Sequence, residues 1–235
     1  MNIRNVAGSK VIEIPFKLKN KNNIITAVET SLGLLTYVKP KLRTLVVPGD
    51  ANELPDELPG GLFKATQTPE GTLYTSGGSG PGIQIESNIY YDNPTVNLFK
   101  SVFDTIINLH IEKTGEKNLP KYQHSWFFIN PPSEKESNFH DHRKFNSTFP
   151  HDIPTYTWTY YVQLPDNCVG DEGQLAFKKD YDSLVELIDV KLDTIYVFPS
   201  DLLHQPNLSP YSTLNRITAA GNILIPGSEK SLFSE

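Results

Sequence analysis

The sequence predicts a mainly β fold, a sandwich or barrel backed by helices and strands from its N-terminal half. Three observations carry this reading. From Tyr122 onward, short apolar runs alternate with turn residues. The 12 Phe and 11 Tyr favour strands over helices. Only a few segments, above all the one beginning at Pro94, have the spacing of an amphipathic helix. At 235 residues the chain is expected to form one domain, with residues 1–120 supporting a core formed by residues 121–225.

Taken in order, Val11 to Phe16 and Arg43 to Pro48 read as strands, with a short helix over Ala27 to Leu35 between them. Gly49 to Gly82 differs in kind. It holds four prolines and eight glycines among acidic, Thr and Ser residues, so it has little to bury and reads as a loop or a β-arm. Pro94 suits the first turn of a helix, and Phe99, Val102, Phe103, Ile106 and His110 then recur at helical spacing before Gly115. That face should back a sheet, with His110 packed on it. The expected strands after Pro120 are Tyr122 to Asn130, Thr155 to Leu164, Gln174 to Lys178, Leu187 to Leu192, Thr194 to Phe198 and Arg216 to Ile225.

Composition narrows the function classes. Twenty-one basic against 27 acidic residues leave a net charge of −6, so the basic stripe of a phosphate-tracking protein is missing and nucleic acid gains no support. The single cysteine, Cys168, can form neither an internal disulfide nor a thiolate metal cage, which points to an intracellular, cytoplasmic protein. Arg4, Lys10 and Glu13 interrupt the N-terminal segment, which therefore lacks the apolar core of a signal peptide. No run approaches the roughly 18 apolar residues that span a bilayer, so no membrane association is expected.

Chemistry concentrates in the second half. In His140-Asp141-His142, an extended backbone would project both imidazoles to one face and Asp141 to the other. Two imidazoles from one segment and a third from a distant strand would make a facial metal site with open positions. His204 can supply the third, because the strand ending at Phe198 is stopped by Pro199 and a short turn leads to it. Twelve residues later, Arg216 and Thr218 share a strand face, where a guanidinium and a hydroxyl could hold a carboxylate. Asp141 is the alternative second ligand if that strand is bulged.

These residues carry a resemblance. Ser125-Trp126-Phe127, Phe139-His140-Asp141-His142, Tyr160 to Pro165, Glu172 to Phe177, Phe198-Pro199-Ser200 through His204, and Asn215-Arg216-Ile217-Thr218 resemble the 2-oxoglutarate- and iron(II)-dependent oxygenases. The likeness is to hydroxylases of bacteria and phages that carry a His-x-His element, and it covers about residues 121–225. It implies a double-stranded β-helix, or jelly roll. It also implies Fe(II) held by His140, His142 and His204, 2-oxoglutarate anchored by Arg216 with Thr218, and O2 as oxidant. The implied reaction is hydroxylation of a substrate with release of succinate and CO2. The best-known members of the superfamily have His-x-Asp, which this chain lacks. An imidazole in place of that carboxylate leaves one more positive charge at the metal and favours an anionic co-substrate.

Two other readings compete. A cupin-like dioxygenase with three histidines would explain the ligands but leave Arg216 and Thr218 without a purpose. A non-catalytic β-sandwich binding module or phage accessory protein would suit the aromatic residues and the Gly-rich arm. Tyr160 and Tyr161 should point to opposite faces and fill core, and Trp126 and Trp158 should be core or pocket wall. Cys168 has no evident base partner, so thiol catalysis is not expected. The primary substrate is open among protein side chains, small metabolites and nucleobases.

Overall fold

The computed structural model describes residues 1–38, 62–68, 71–76, 83–86, 94–116, 122–134, 137–142, 155–225 and 231–233. Among these residues two helices, α1 (Lys21–Val38) and α2 (Pro94–Thr114), accompany twelve strands: β1 (Asn2–Val6), β2 (Ser9–Pro15), β3 (Leu62–Thr68), β4 (Gly71–Ser76), β5 (Ile83–Glu86), β6 (Tyr122–Asn130), β7 (Tyr156–Gln163), β8 (Leu175–Lys178), β9 (Glu186–Ile188), β10 (Thr194–Phe198), β11 (Leu203–Pro206) and β12 (Arg216–Leu224). Nine of them form a major sheet in the order β1-β2-β10-β7-β12-β6-β5-β4-β3, and β11-β8-β9 form a minor one. All pairings are antiparallel.

The strands at the centre of the major sheet are buried on both faces, and the two faces differ in chemistry. On one, Ile12, Tyr156, Trp158, Tyr160, Ile195, Ile217 and Ile223 pack with Ile24 and Val28 of α1 and with Leu98, Phe99, Val102 and Ile106 of α2. The helical spacing read at Phe99, Val102 and Ile106 therefore marks the stripe of α2 that covers the sheet. On the other face, Val11, Tyr161, Tyr196 and Phe198 join Leu175, Phe177 and Ile188 of the minor sheet in a second core. This inner face also carries polar side chains at alternate positions: Thr157 and Thr159 of β7, and Arg216, Thr218 and Asn222 of β12. Buried polar groups cost free energy unless they are partnered, so their concentration on one face marks a site.

Several local expectations are revised. The short helix expected at Ala27 to Leu35 runs from Lys21 to Val38. The Gly/Pro-rich stretch contains a β-arm, the β3–β4 hairpin. The strand expected at Arg43 to Pro48 lies outside the described residues. Leu187 to Leu192 yields only the three-residue β9 at the edge of the minor sheet, where one neighbour supplies pairing. The β1–β2 hairpin was not anticipated. Ala7 and Gly8, with φ of 50° and 75°, form its two-residue connection, a geometry whose twist matches antiparallel strands. Among the described residues no helix is long and apolar enough to cross a membrane.

Candidate metal centre and co-substrate pocket

His204 lies within β11, reached from β10 by the short turn that the sequence suggested. His140 faces it across an isolated antiparallel bridge. Its backbone N–H donates to the His204 carbonyl at 3.2 Å, and the return bond is 3.0 Å. Directly opposed residues of an antiparallel pair put their side chains on one face, which brings the two rings to 4.4 Å between centroids. His142, two residues on, donates its backbone N–H to the Ser200 carbonyl at 2.8 Å. Its ring lies 5.4 Å from that of His140 and 5.0 Å from that of His204. One ligand atom from each of the three imidazoles can be chosen so that all lie within 4.8 Å of one another, and Asp141 is not in the group.

Each imidazole is oriented by a hydrogen bond at Nδ1. His140 donates to the Asn138 carbonyl at 3.1 Å and His204 to the Leu202 carbonyl at 2.9 Å. A carbonyl can only accept, so in both rings the proton sits on Nδ1 and the lone pair on Nε2. His142 Nδ1 lies 2.6 Å from Asn222 Oδ1 and 3.3 Å from Thr157 Oγ1. Burial pushes the His204 pKa well below its ordinary value, and the rings of His140 and His142 push it further. Burial also lowers the His140 pKa, against the hydrogen bond that the ring donates to the Asn138 carbonyl and the charge of Asp141. Both effects favour the neutral ring, the form that binds a metal. The donor set fits a divalent first-row ion: three neutral nitrogens on one side, each fixed from behind.

Arg216 lies on the same face of β12 as Asn222. It is 3% exposed. Nη1 donates to the carbonyls of Gln174 and Asn207 at 3.1 and 3.2 Å, and Nη2 to the Tyr161 hydroxyl at 3.1 Å. Its guanidinium carbon lies 4.9 Å from the centre of the Tyr161 ring. Among the described residues no carboxylate comes within 4.0 Å of the guanidinium, and its Nε has no hydrogen-bond partner. Thr218, 8% exposed, is directly opposite Tyr161 across the β7–β12 pairing. The result is a buried cation with neutral neighbours, a setting that suits an anionic ligand.

No protein-family model matches the chain, and no curated protein matches it. Solved structures do. AviO1 from Streptomyces viridochromogenes is similar over 95% of this chain and 93% of its own, at 10% identity and a TM-score of 0.53. SnoN, a non-haem α-ketoglutarate-dependent epimerase from nogalamycin biosynthesis, is similar over 98% of this chain and 89% of its own, at 9% identity and a TM-score of 0.50. This chain shares the fold of these two proteins. A prolyl-4-hydroxylase from Pseudomonas putida also aligns, over 92% of this chain and 93% of its own, at 13% identity and a TM-score of 0.49. The double-stranded β-helix expected from the resemblance is thus the architecture formed by the major and minor sheets.

The remaining residues singled out in the sequence divide between site and scaffold. Trp126 stands against His142, with ring centroids 5.8 Å apart, whereas Trp158 is wholly in the helix-side core. Tyr160 fills core on that side too, but Tyr161 is more than filling, because its hydroxyl meets the Arg216 guanidinium. His110 is buried on α2, its Nδ1 2.7 Å from the Tyr156 hydroxyl. Of the two histidines not singled out in the sequence, His151 lies outside the described residues, and His124 is placed only by its backbone, opposite Asn222. Sequence reasoning missed Asn222 and Thr157. The one signal available was polarity recurring every second residue within strands otherwise rich in apolar side chains.

Proposed function

We propose that this protein is a 2-oxoglutarate- and Fe(II)-dependent oxygenase. It would insert one oxygen atom of O2 into a C–H bond of its substrate and place the other in succinate, with loss of CO2 from 2-oxoglutarate. In this reading His140, His142 and His204 hold the iron, which when bound supplies the redox chemistry and open coordination positions for co-substrate and oxygen. Arg216 binds the distal carboxylate of 2-oxoglutarate, with the Tyr161 and Thr218 hydroxyls beside it. The chain's own work is to hold and orient: backbone carbonyls and Asn222 keep the three rings turned, and burial of the inner face limits water.

The observation that carries this reading is Arg216, a buried guanidinium with no carboxylate partner among the described residues, on the strand face that also carries Asn222, the support of His142. A cupin-like three-histidine dioxygenase accounts for the rings but not for that cation. A non-catalytic module has no use for either. The substrate class stays as broad as protein side chains, small metabolites and nucleobases. Anaerobic addition of Fe(II) and then 2-oxoglutarate should produce a metal-to-ligand charge-transfer band, and admission of oxygen should convert 2-oxoglutarate to succinate. Folded, iron-loaded protein that gives no such band would reject the proposal.

A further inference from the structure

The three imidazoles are not supported alike. His140 and His204 are each held by a backbone carbonyl two residues earlier in the chain, a local arrangement that follows wherever the segment goes. His142 is held across the fold, by Asn222 of β12 and Thr157 of β7, 80 and 15 residues away in sequence. The Thr157 hydroxyl also donates to Asn222 Oδ1 at 3.0 Å, and Thr157 and Asn222 are directly opposed in the sheet. Both are fully buried.

An imidazole can ligate through Nε2 only if its proton is elsewhere, and the residue facing Nδ1 decides where. Asn222 can present either end of its carboxamide. With Oδ1 toward His142, the ring carries its proton on Nδ1 and has a free lone pair on Nε2. With the amide nitrogen there instead, Nδ1 must accept, the proton moves to Nε2, and that atom cannot bind a metal. The structure has the oxygen toward His142 and, among the described residues, leaves Asn222 Nδ2 buried without a hydrogen-bond partner. An orphaned buried donor costs about 1–3 kcal/mol. Such a group, placed beside a ligating ring, fits a side chain retained for orientation of that ring rather than for stability.

We propose that Asn222, with Thr157, is the positioning pair that makes His142 the second metal ligand: it accepts the Nδ1–H hydrogen bond, keeps the proton on Nδ1 and turns Nε2 toward the site. The inference rests on reading the three histidines as a metal centre. The neutral carboxamide also leaves the ring an uncharged ligand without adding the negative charge that an aspartate would bring.

The test uses the full chain with 15N-labelled histidine, at a pH where the rings are neutral. Two-bond 1H–15N spectra of the metal-free protein report which nitrogen carries each proton, and His142→Gln identifies the His142 signals. His142 should show Nδ1–H. Asn222→Leu combined with Thr157→Val removes both partners at Nδ1. It should populate the Nε2–H form and weaken Co(II) binding about 10- to 100-fold, while the metal-free thermal midpoint shows that the variant is folded. Asn222→Asp keeps an acceptor and should retain the Nδ1–H form and bind Co(II) at least as tightly as wild type. Thr157→Val alone provides the milder variant if the double substitution does not fold, with a smaller loss in the same direction. Wild-type His142 protonated on Nε2, or folded variants that bind Co(II) with wild-type affinity, would overturn the positioning role and leave the metal centre standing. Wild-type protein that binds no Co(II) would overturn the metal centre and this inference with it.

Discussion

Replacing Arg216 by Met should cost co-substrate affinity much more than stability. The Met side chain keeps an apolar stem against the Tyr161 ring and removes the charge. The two carbonyls that lose the guanidinium each keep a donor: Gln174 O accepts from Asn207 N at 3.0 Å, and Asn207 O from Gly173 N at 3.0 Å. No backbone acceptor is orphaned, the Tyr161 hydroxyl loses one hydrogen bond, and deleting a buried cation that has no carboxylate partner among the described residues relieves a desolvation cost. The metal-free thermal midpoint should therefore move by only a few degrees, about 1 kcal/mol at roughly 2–4 °C per kcal/mol for a chain of this size. A bidentate carboxylate contact, by contrast, is two charge-assisted hydrogen bonds of about 1.5–3 kcal/mol each. Their loss, about 3–6 kcal/mol, raises the 2-oxoglutarate Kd by about two to four orders of magnitude. Anaerobic spectrophotometric titration of 2-oxoglutarate into Fe(II)-loaded protein measures this, with Fe(II) affinity measured separately and expected to hold. If Arg216→Met binds 2-oxoglutarate within about tenfold of wild type, the assignment of Arg216 as the carboxylate anchor is wrong.

Three further outcomes test the scaffold. Gly173 has φ of +76°, and a Cβ there would lie 2.9 Å from Cys168 Sγ and 3.3 Å from Pro165 Cγ, so Gly173→Ala should cost about 2–4 kcal/mol by calorimetry, partly recovered with Cys168→Ala. Tyr156→Phe deletes the hydroxyl that meets His110 Nδ1 at 2.7 Å and accepts Leu232 N–H at 3.0 Å; two buried groups lose a partner, and denaturation should show a loss of about 2–5 kcal/mol with faster exchange of the Leu232 amide. The Asp166 carboxyl is held down at about 2 by hydrogen bonds from Thr213 and Ser212 and from the backbone of Thr213 and Leu214. Since the folded value lies below the unfolded one, near 4, this stabilisation is complete above about pH 4 and is lost as pH falls through about 2. Asp166→Asn should flatten that part of the pH–stability curve, and carboxyl 13C shifts should locate the wild-type midpoint near 2.

How much of the fold was legible depended on how local its causes are. Helix α2 is encoded in one stretch, by Phe99, Val102 and Ile106 on one stripe, and its residues reveal it without any partner. Strands β6, β7, β10 and β12 are long or apolar enough to declare themselves. Strand β11 is four residues, ends in a proline, and is a strand only because Leu203 to Pro206 finds Leu175 to Lys178. Strand β1, mostly exposed and polar, exists through its hairpin with β2. Such elements are set by pairing, which a linear reading does not contain.

The site divides in the same way. Histidines and a lone strand arginine announce chemistry by residue type, so His140, His142, His204 and Arg216 could be picked out from spacing. Tyr161, Thr157 and Asn222 could not, because a Tyr, Thr or Asn in a strand has many ordinary uses and the usual rule assigns the polar face to water. Here that rule has no solvent face to apply to: α1 and α2 cover one side of β7 and β12, and the minor sheet faces the other. Once both faces are known to be buried, alternation acquires a different meaning. Thr157, Thr159 and Tyr161 alternate with Trp158 and Tyr160, and Arg216, Thr218 and Asn222, interrupted by Ala220, share the face opposite Ile217, Ala219 and Ile223. In strands so nearly closed to water, such a polar row is satisfied mainly by the protein or by what the protein binds. The unpartnered Nε of Arg216, Oγ1 of Thr159 and Nδ2 of Asn222 all lie along it. They make the row a better guide to the site than any one of its residues.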